Sequence, residues 1–355
     1  MATALRVLVI GSGGMGTSHA RAYHANPGYE LVGLVSRRPE SRDTLSAELG
    51  GVPTYADGHE ALAATTPDVV CVATFPDSHH EYVTAALEAG CHVFCEKPLA
   101  ETVEEAQQLA DLAAQRDRKL LVGHILRVHP AWQLFIERAQ GLGKPLVMRM
   151  NLNQQAEGAT WDLHRNIMAS VSPIVDCGVH YVDVMCQMTQ ARPIRVVAMG
   201  ARLTDDLKPG MYNYGNLQVT FDDGSIGWYE AGWGPMMSEE AYFVKDVIGP
   251  KGSVSIIKHS GEGESDDIDS HTRSDSLRVH HAELVDNAFA KPDELINTAD
   301  APDHDGLCAA EQQLLLDAIT HDHDLSGHLR DVVNSLRIVV AADESIRTGQ
   351  IVQLD

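Results

Sequence analysis

The sequence predicts an α/β amino-terminal half built on a doubly wound parallel sheet, then an α+β half with a large, mostly antiparallel open sheet. Three observations carry this. An apolar strand runs straight into a glycine-rich turn and a helix at the start of the chain. Buried-type strands then alternate with helices as far as residue 122, the pattern of parallel strands joined by crossovers. Beyond that point strands follow one another through turns, which favours antiparallel pairing.

The first strand is Leu5 to Ile10, and it leads into Gly11-Ser12-Gly13-Gly14-Met15-Gly16 and a helix from Thr17 to His24. Gly11, Gly13 and Gly16 keep the G-x-G-x-x-G spacing. The first allows a tight turn, the second lets a pyrophosphate approach the backbone, and the third lets helix and strand pack closely. Free N–H groups at the helix start favour phosphate. A dinucleotide site is therefore expected here, from Gly11 through Gly13, Gly14 and Met15 to Gly16.

The second strand, Glu30 to Val35, ends in Ser36-Arg37-Arg38. An acidic residue at this point would accept hydrogen bonds from a ribose 2′-OH. None stands between Val35 and Arg38. A serine and two arginines suit a 2′-phosphate, so the expectation leans to NADP over NAD; the alternative is two solvated arginines beside the adenine. Pro67 to Ala73 is the next strand and His79 to Gly90 the next helix. Then come the strand Cys91 to Cys95, the helix Glu104 to Gln115 and the strand Lys119 to Val122.

Glu96-Lys97-Pro98 closes the strand at Cys91 to Cys95. It lies at the carboxyl edge of the sheet, where open α/β sheets bind ligands. A lysine there can donate a charged hydrogen bond or join in proton transfer. A surface lysine beside a helix start is the alternative.

The 355 residues suffice for two domains, 1–122 and 123–355. Fifty acidic against 27 basic residues give a net charge of −23, a surface that repels nucleic acid and anionic lipid. No leader peptide and no apolar run of membrane-spanning length is read. The six cysteines lack C-x-x-C spacing. Reduced thiols and a cytoplasmic location are expected.

In the second half, strands are expected at Pro145 to Leu152, Ile194 to Leu203, Asn216 to Phe221, Ser225 to Ala231, Ala241 to Ile248 and Ser253 to Ile257. Phe221-Asp222-Asp223-Gly224-Ser225 is a hairpin signal. Gly261 to Asp275 is acidic and rich in serine and glycine, and is expected to be a mobile excursion. Helices at Ala309 to Ile319 and Leu329 to Ile346 precede a last strand, Ile351 to Leu354. Pro173 to Asp183 starts a helix on which Asp176 and His180, four apart, share a face, with Asp183 near it. That pair suits acid/base work. It would also suit a metal, although no further ligand set accompanies it, and two surface polar residues is the plain alternative.

Gly11-x-Gly13-x-x-Gly16, Ala73-Thr74 with Pro76 and His80-Glu81, Gly90-Cys91-His92-Val93 leading to Glu96-Lys97-Pro98, and Asp176-x-Gly178-x-His180 together resemble the Gfo/Idh/MocA oxidoreductases. That family includes inositol dehydrogenases, glucose–fructose oxidoreductase and many sugar dehydrogenases. The resemblance implies a Rossmann domain followed by an α+β substrate-binding and oligomerisation domain, assembled as a homodimer or homotetramer. It implies that Lys97 contacts both nicotinamide and substrate hydroxyl, that Asp176 binds substrate, and that His180 is the acid/base. Thr74, Pro76, His80 and Glu96 would line the nucleotide, and Arg127 matches an arginine near the domain junction. The chain departs from the family at Ala169-Ser170-Val171-Ser172-Pro173, where many members carry a glycine run.

Trp161 can stack on a sugar face and Arg165 can hold a polar or anionic group; a core tryptophan and a surface arginine are the alternatives. Tyr229, Glu230 and Trp233 lie on a strand that could face the cleft, although a strand turned away from it is the favoured reading. His321-Asp322-His323-Asp324 looks like a metal cluster but fits an exposed loop better, so no metal is expected. The leading function is an NAD(P)-dependent dehydrogenase acting on a secondary hydroxyl of a sugar, inositol or glycoside. Two alternatives are a nucleotide-dependent glycosidase working by transient oxidation, elimination and re-reduction, and a non-catalytic nucleotide-binding regulator.

Overall fold

A computed structural model describes residues 3–238, 244–257 and 273–354. The first 125 residues hold six parallel strands: β1 (Leu5–Ile10), β2 (Tyr29–Val35), β3 (Thr54–Tyr55), β4 (Val69–Val72), β5 (His92–Glu96) and β6 (Leu120–Gly123). Helices α1 (Gly14–Ala25), α2 (Pro39–Glu48), α3 (Gly58–Thr65), α4 (His79–Glu88) and α5 (Val103–Gln115) connect them. The sheet order is β3-β2-β1-β4-β5-β6, so the winding reverses between β1 and β4. Strand β4 is buried at every position, as expected of a strand covered on both faces. Helix α5 starts with a full capping box, Thr102 and Glu105 bonding each other's backbone N–H.

A 3-10 turn at Ile125–Arg127 leads into residues 126–301, which continue with α6 (Pro130–Gln140) and β7 (Val147–Gln154). Three helices follow: α7 (Gly158–Ile167), α8 (Pro173–Asp176) and α9 (Gly178–Thr189). The remaining strands of this segment are β8 (Pro193–Ala201), β9 (Tyr214–Phe221), β10 (Ile226–Trp233), β11 (Lys245–Gly249), β12 (Gly252–Ile257), β13 (Ser276–His281), β14 (Leu284–Val285), β15 (Ala288–Phe289) and β16 (Glu294–Asn297). Antiparallel pairing dominates, with the hairpin at Asp222–Gly224 joining β9 and β10 as its sequence indicates. One pair, β7 with β10, is parallel. Strand β9 alternates between buried and less buried positions, the mark of a sheet covered on one face. The expected strand over 241–248 is described from Lys245 onward; residues 241–243 and 258–272, including most of the expected excursion, lie outside the described residues.

The chain ends in α10 (His304–Thr320), α11 (Ser326–Thr348) and β17 (Val352–Gln353). The last strand pairs with β8 and completes a nine-stranded sheet, β16-β13-β12-β11-β7-β10-β9-β8-β17. The chain divides into two compact units, residues 1–125 with 302–333, and 126–301 with 334–355. A single boundary at residue 122 is thus replaced by a return of the chain to its first unit. Helix α10 explains it. Leu315 is fully buried in one apolar cluster with Val7, Tyr23, Leu34 and Phe94, and Leu314, Leu316 and Ile319 pack against that cluster. The Tyr29 hydroxyl donates to the Gln312 carbonyl at 2.9 Å. The unit boundary falls inside α11.

Candidate active site

In the first unit, the carboxyl ends of β1, β4 and β5 carry the glycine turn, Thr74 to Ser78, and Glu96-Lys97-Pro98. Gly11 has φ +111°, and a Cβ there would stand 2.2 Å from the Ala73 carbonyl oxygen. A Cβ on Gly16 would stand 2.1 Å from the Gly11 oxygen. Both positions therefore demand glycine, one for the turn and one for helix packing. Gly13 and Gly14 differ: nothing lies within 4 Å of a Cβ at either. Gly13 is the N-cap of α1 and makes no side-chain cap bond. Open backbone at a helix start is what a pyrophosphate needs, so these residues fit a dinucleotide.

At the end of β2, the Ser36 hydroxyl accepts the Arg38 N–H at 3.2 Å, and Arg37 and Arg38 are exposed. A third arginine joins them: Arg42 donates to the Ser36 carbonyl at 2.7 Å. Its position one helical turn after Arg38 was the available signal for it.

Thr74 accepts a hydrogen bond from Ser78 at 2.8 Å, and Pro76 opens the 3-10 turn Pro76–Ser78. His80 is half-buried, whereas its neighbour His79 is wholly enclosed. His79 places Nδ1 2.8 Å from the Pro98 carbonyl and Nε2 3.1 Å from the Thr74 carbonyl. It is His79, and not His80, that ties the β4 loop to the lysine loop. Burial lowers its pKa, against the pull of both carbonyls. The signal was periodicity: buried Val83, Ala86 and Leu87 follow His79 at helical spacing.

Glu96 is buried, and its carboxylate meets His19 Nε2 at 2.7 Å and the Lys97 backbone N–H at 3.2 Å. The other ring nitrogen of His19 meets the Gln312 side-chain amide at 2.9 Å. His19, Cys308 and Glu311 also hold one ligand-type atom each within 4.8 Å of one another. Both nitrogens of His19 are engaged, and burial pushes the Cys308 thiol and the Glu311 carboxyl upward, towards protonated forms that bind metal poorly. His321 and His323 stack at 5.5 Å, and Asp322 pairs with Lys119. A groove of about 680 Å³ lies at the opposite, amino edge of this sheet, beside His59, Asp68, His92 and Arg118. It contains none of the expected site residues.

In the second unit, Asp176 and His180 do not share one unbroken helix. Helix α8 ends at Asp176 and α9 begins at Gly178, with Cys177 between them. The His180 N–H bonds the Cys177 carbonyl, a tighter turn than α. Gly178 lets the start of α9 lie against β10, since a Cβ there would come within 2.8 Å of the Tyr229 ring. Ser172 caps α8 through the Val175 N–H at 3.1 Å and donates to Asp343 at 2.8 Å. The Cys177 thiol lies 3.5 Å from the Asp176 carboxylate. Asp176 and His180 are both half-buried.

Tyr229 and Trp233 are packed inside, while Glu230 points to the other face of β10 and accepts from Asn153 at 2.7 Å. Strand alternation forbids all three from facing one cleft. The Tyr229 hydroxyl is buried with no hydrogen-bond partner among the described residues. Burial, then neighbouring Cys177, Tyr181 and Asp176, pushes it far above the usual phenol range, so it stays a donor. Trp161 belongs to an apolar cluster with Ala156, Met168, Leu207 and Trp233. Arg165 lies 5.9 Å over the Trp161 ring and pairs with Asp162 at the surface. Arg127 forms a two-pronged ion pair with the buried Asp183. Burial pushes that carboxyl up and Arg127 pulls it back.

Family comparison adds to this geometry. Residues 5–124 match the GFO/IDH/MocA model described as an oxidoreductase family with an NAD-binding Rossmann fold, and residues 137–255 match the GFO/IDH/MocA C-terminal domain. The chain is 31% identical to D-glucoside 3-dehydrogenase of Escherichia coli (strain K12), over 50% of this chain and 52% of that protein. It is 32% identical to UDP-N-acetylglucosamine 3-dehydrogenase of Acidithiobacillus ferrooxidans, over 57% and 60%. The matches thus span little more than half of these relatives. An NAD-binding oxidoreductase from Klebsiella pneumoniae shares the fold at TM-score 0.80 and 21% identity, over 99% of each chain. With both of its halves matched in order, the chain belongs to the Gfo/Idh/MocA family of oxidoreductases.

Proposed function

We propose that this protein is a nicotinamide-dependent dehydrogenase that oxidises a secondary hydroxyl of a sugar, glycoside or inositol. The observation that carries the reading is the open backbone of Gly13 and Gly14 on the same sheet edge as Lys97. When bound, the nicotinamide supplies the hydride acceptor. Gly11 to Gly16 would hold the pyrophosphate, with Thr74, Pro76 and the Glu96-Lys97 backbone beside the nucleotide. Lys97 donates to the hydroxyl oxygen and stabilises the negative charge that grows there. His180 takes the hydroxyl proton, and Asp176 binds a neighbouring hydroxyl. The carbon loses hydride, the oxygen loses its proton, and the hydroxyl becomes a carbonyl. Two relatives named as 3-dehydrogenases of a glucoside and of UDP-N-acetylglucosamine support a hexopyranose C3 hydroxyl as substrate. Arg37, Arg38 and Arg42 around Ser36 support NADP as the preferred cofactor.

The test is to incubate the protein with NAD or NADP and a panel of p-nitrophenyl glucosides, UDP-N-acetylglucosamine and myo-inositol. Reduced nicotinamide and aglycone release are followed together. Reduced cofactor in step with ketone formation is expected. Aglycone release without it would overturn the dehydrogenase reading in favour of a redox-assisted glycosidase. Lys97→Ala should lower kcat by roughly 10²–10³-fold, the cost of one oxyanion donor. Tighter binding of NAD than of NADP would overturn the cofactor preference.

A further inference from the structure

We propose that His19 and His79 are positioning residues that grip the Glu96-Lys97-Pro98 loop from its two sides and so set the direction of the Lys97 side chain. The inference rests on the role given to Lys97 above. Both histidines are fully buried, in the same unit as the lysine. Neither is among the residues assigned to substrate or cofactor.

On the Glu96 side, the partners decide the tautomer. Gln312 Nε2 donates to His19 Nδ1 at 2.9 Å, which leaves the ring proton on Nε2 to donate to Glu96 at 2.7 Å. The second oxygen of that carboxylate accepts the Lys97 N–H at 3.2 Å. A carboxylate that takes the N–H of the next residue fixes that peptide plane. The chain Gln312–His19–Glu96–Lys97 therefore runs from α10 through α1 to the lysine backbone. The His19 ring also packs on Phe94 of β5, with centroids 4.6 Å apart.

On the Pro98 side, His79 Nδ1 stands 2.8 Å from the Pro98 oxygen, a shorter contact than the 3.1 Å from Nε2 to the Thr74 oxygen. The residues before and after Lys97 are thus each held by a buried imidazole, one through Nε2 and one through Nδ1. Such a grip holds a catalytic amine within the fraction of an ångström that reaction requires.

The different nitrogens give a specific test. Gln at position 19 keeps a donor near Nε2, and Asn at position 79 keeps one near Nδ1. The set is His19→Phe, His19→Gln, His79→Phe, His79→Asn and the exchanged pair His19→Asn and His79→Gln. NADH binding is read by fluorescence, kcat and KM on the active member of the substrate panel. Acetylation of Lys97 by acetic anhydride is read by mass spectrometry relative to the other lysines. The phenylalanine variants should lose about tenfold or more in kcat, with NADH affinity retained and the Lys97 labelling ratio changed several-fold. His19→Gln and His79→Asn should restore both readouts, and the exchanged pair should not.

Unchanged labelling and turnover in the phenylalanine variants, or equal behaviour of matched and exchanged amides, would overturn the proposal. If Phe disturbs folding, Gln312→Leu removes only the outer bond and should change Lys97 labelling in the same direction. A Lys97→Ala enzyme with full turnover would sink the catalytic reading alone, because labelling still decides the grip.

Discussion

Arg127 and Asp183 meet in two hydrogen bonds, of 2.8 and 2.6 Å, with Gln187 adding a third to the same carboxylate at 2.9 Å. The arginine side chain is 14% exposed and the aspartate 1%. Such a pair contributes little against a well-packed apolar replacement, but breaking it strands a charge. Asp183→Ala is expected to lower the unfolding free energy by about 3 kcal/mol, measured by urea denaturation. A loss below roughly 1 kcal/mol, the range of exposed pairs, would mean that the guanidinium is solvated or finds another partner.

The glycine turn offers a paired prediction. Gly16→Ala forces a Cβ to within 2.1 Å of backbone oxygen, so α1 must shift and thermal stability should fall. Gly13→Ala meets nothing within 4 Å, so the protein should melt as wild type does while losing nucleotide affinity. Thermal melts and a fluorescence titration with NADH separate the two. Full NADH affinity in Gly13→Ala would show that the open backbone is not the phosphate cradle.

Asp343 accepts from Ser172 and Tyr212 through the same oxygen. Burial raises its pKa above the ordinary 3.8, with those two hydroxyls holding it back. A carboxyl whose folded pKa is raised contributes stability at acid pH and loses it as pH rises through the folded value. Asp343→Asn keeps the accepting oxygen and cannot ionise. Its stability relative to wild type should therefore improve between pH 4 and neutrality, read by urea unfolding across that range. A flat difference would show that Asp343 titrates normally.

The parts of the fold that sequence made plain are those whose signal is local. Strand β4 is apolar throughout, α5 opens with Thr102 and Glu105 in place, and the β9–β10 turn is Asp-Asp-Gly. Elements passed over lack such a signal. Helix α2 buries only Leu45, and β16 is mostly exposed, so neither shows an apolar period. The candidate site follows the same division. Lys97, Asp176 and His180 are recognisable from their neighbours in sequence, whereas Arg42 and His79 become visible only when helix faces are counted.

The sequence by itself determined the glycine turn, the parallel order of the first half and the placing of Lys97 at a strand's end. Those depend on backbone dihedrals and on residues a few positions apart. Only the tertiary structure decided that 302–333 returns to the first unit, that Trp161 is buried in an apolar cluster, and that Asp176 and His180 stand on either side of a helix break. Burial sums over residues remote in the chain: Leu315 finds Val7 and Tyr23, and Gly178 finds Tyr229. No local pattern contains those partners.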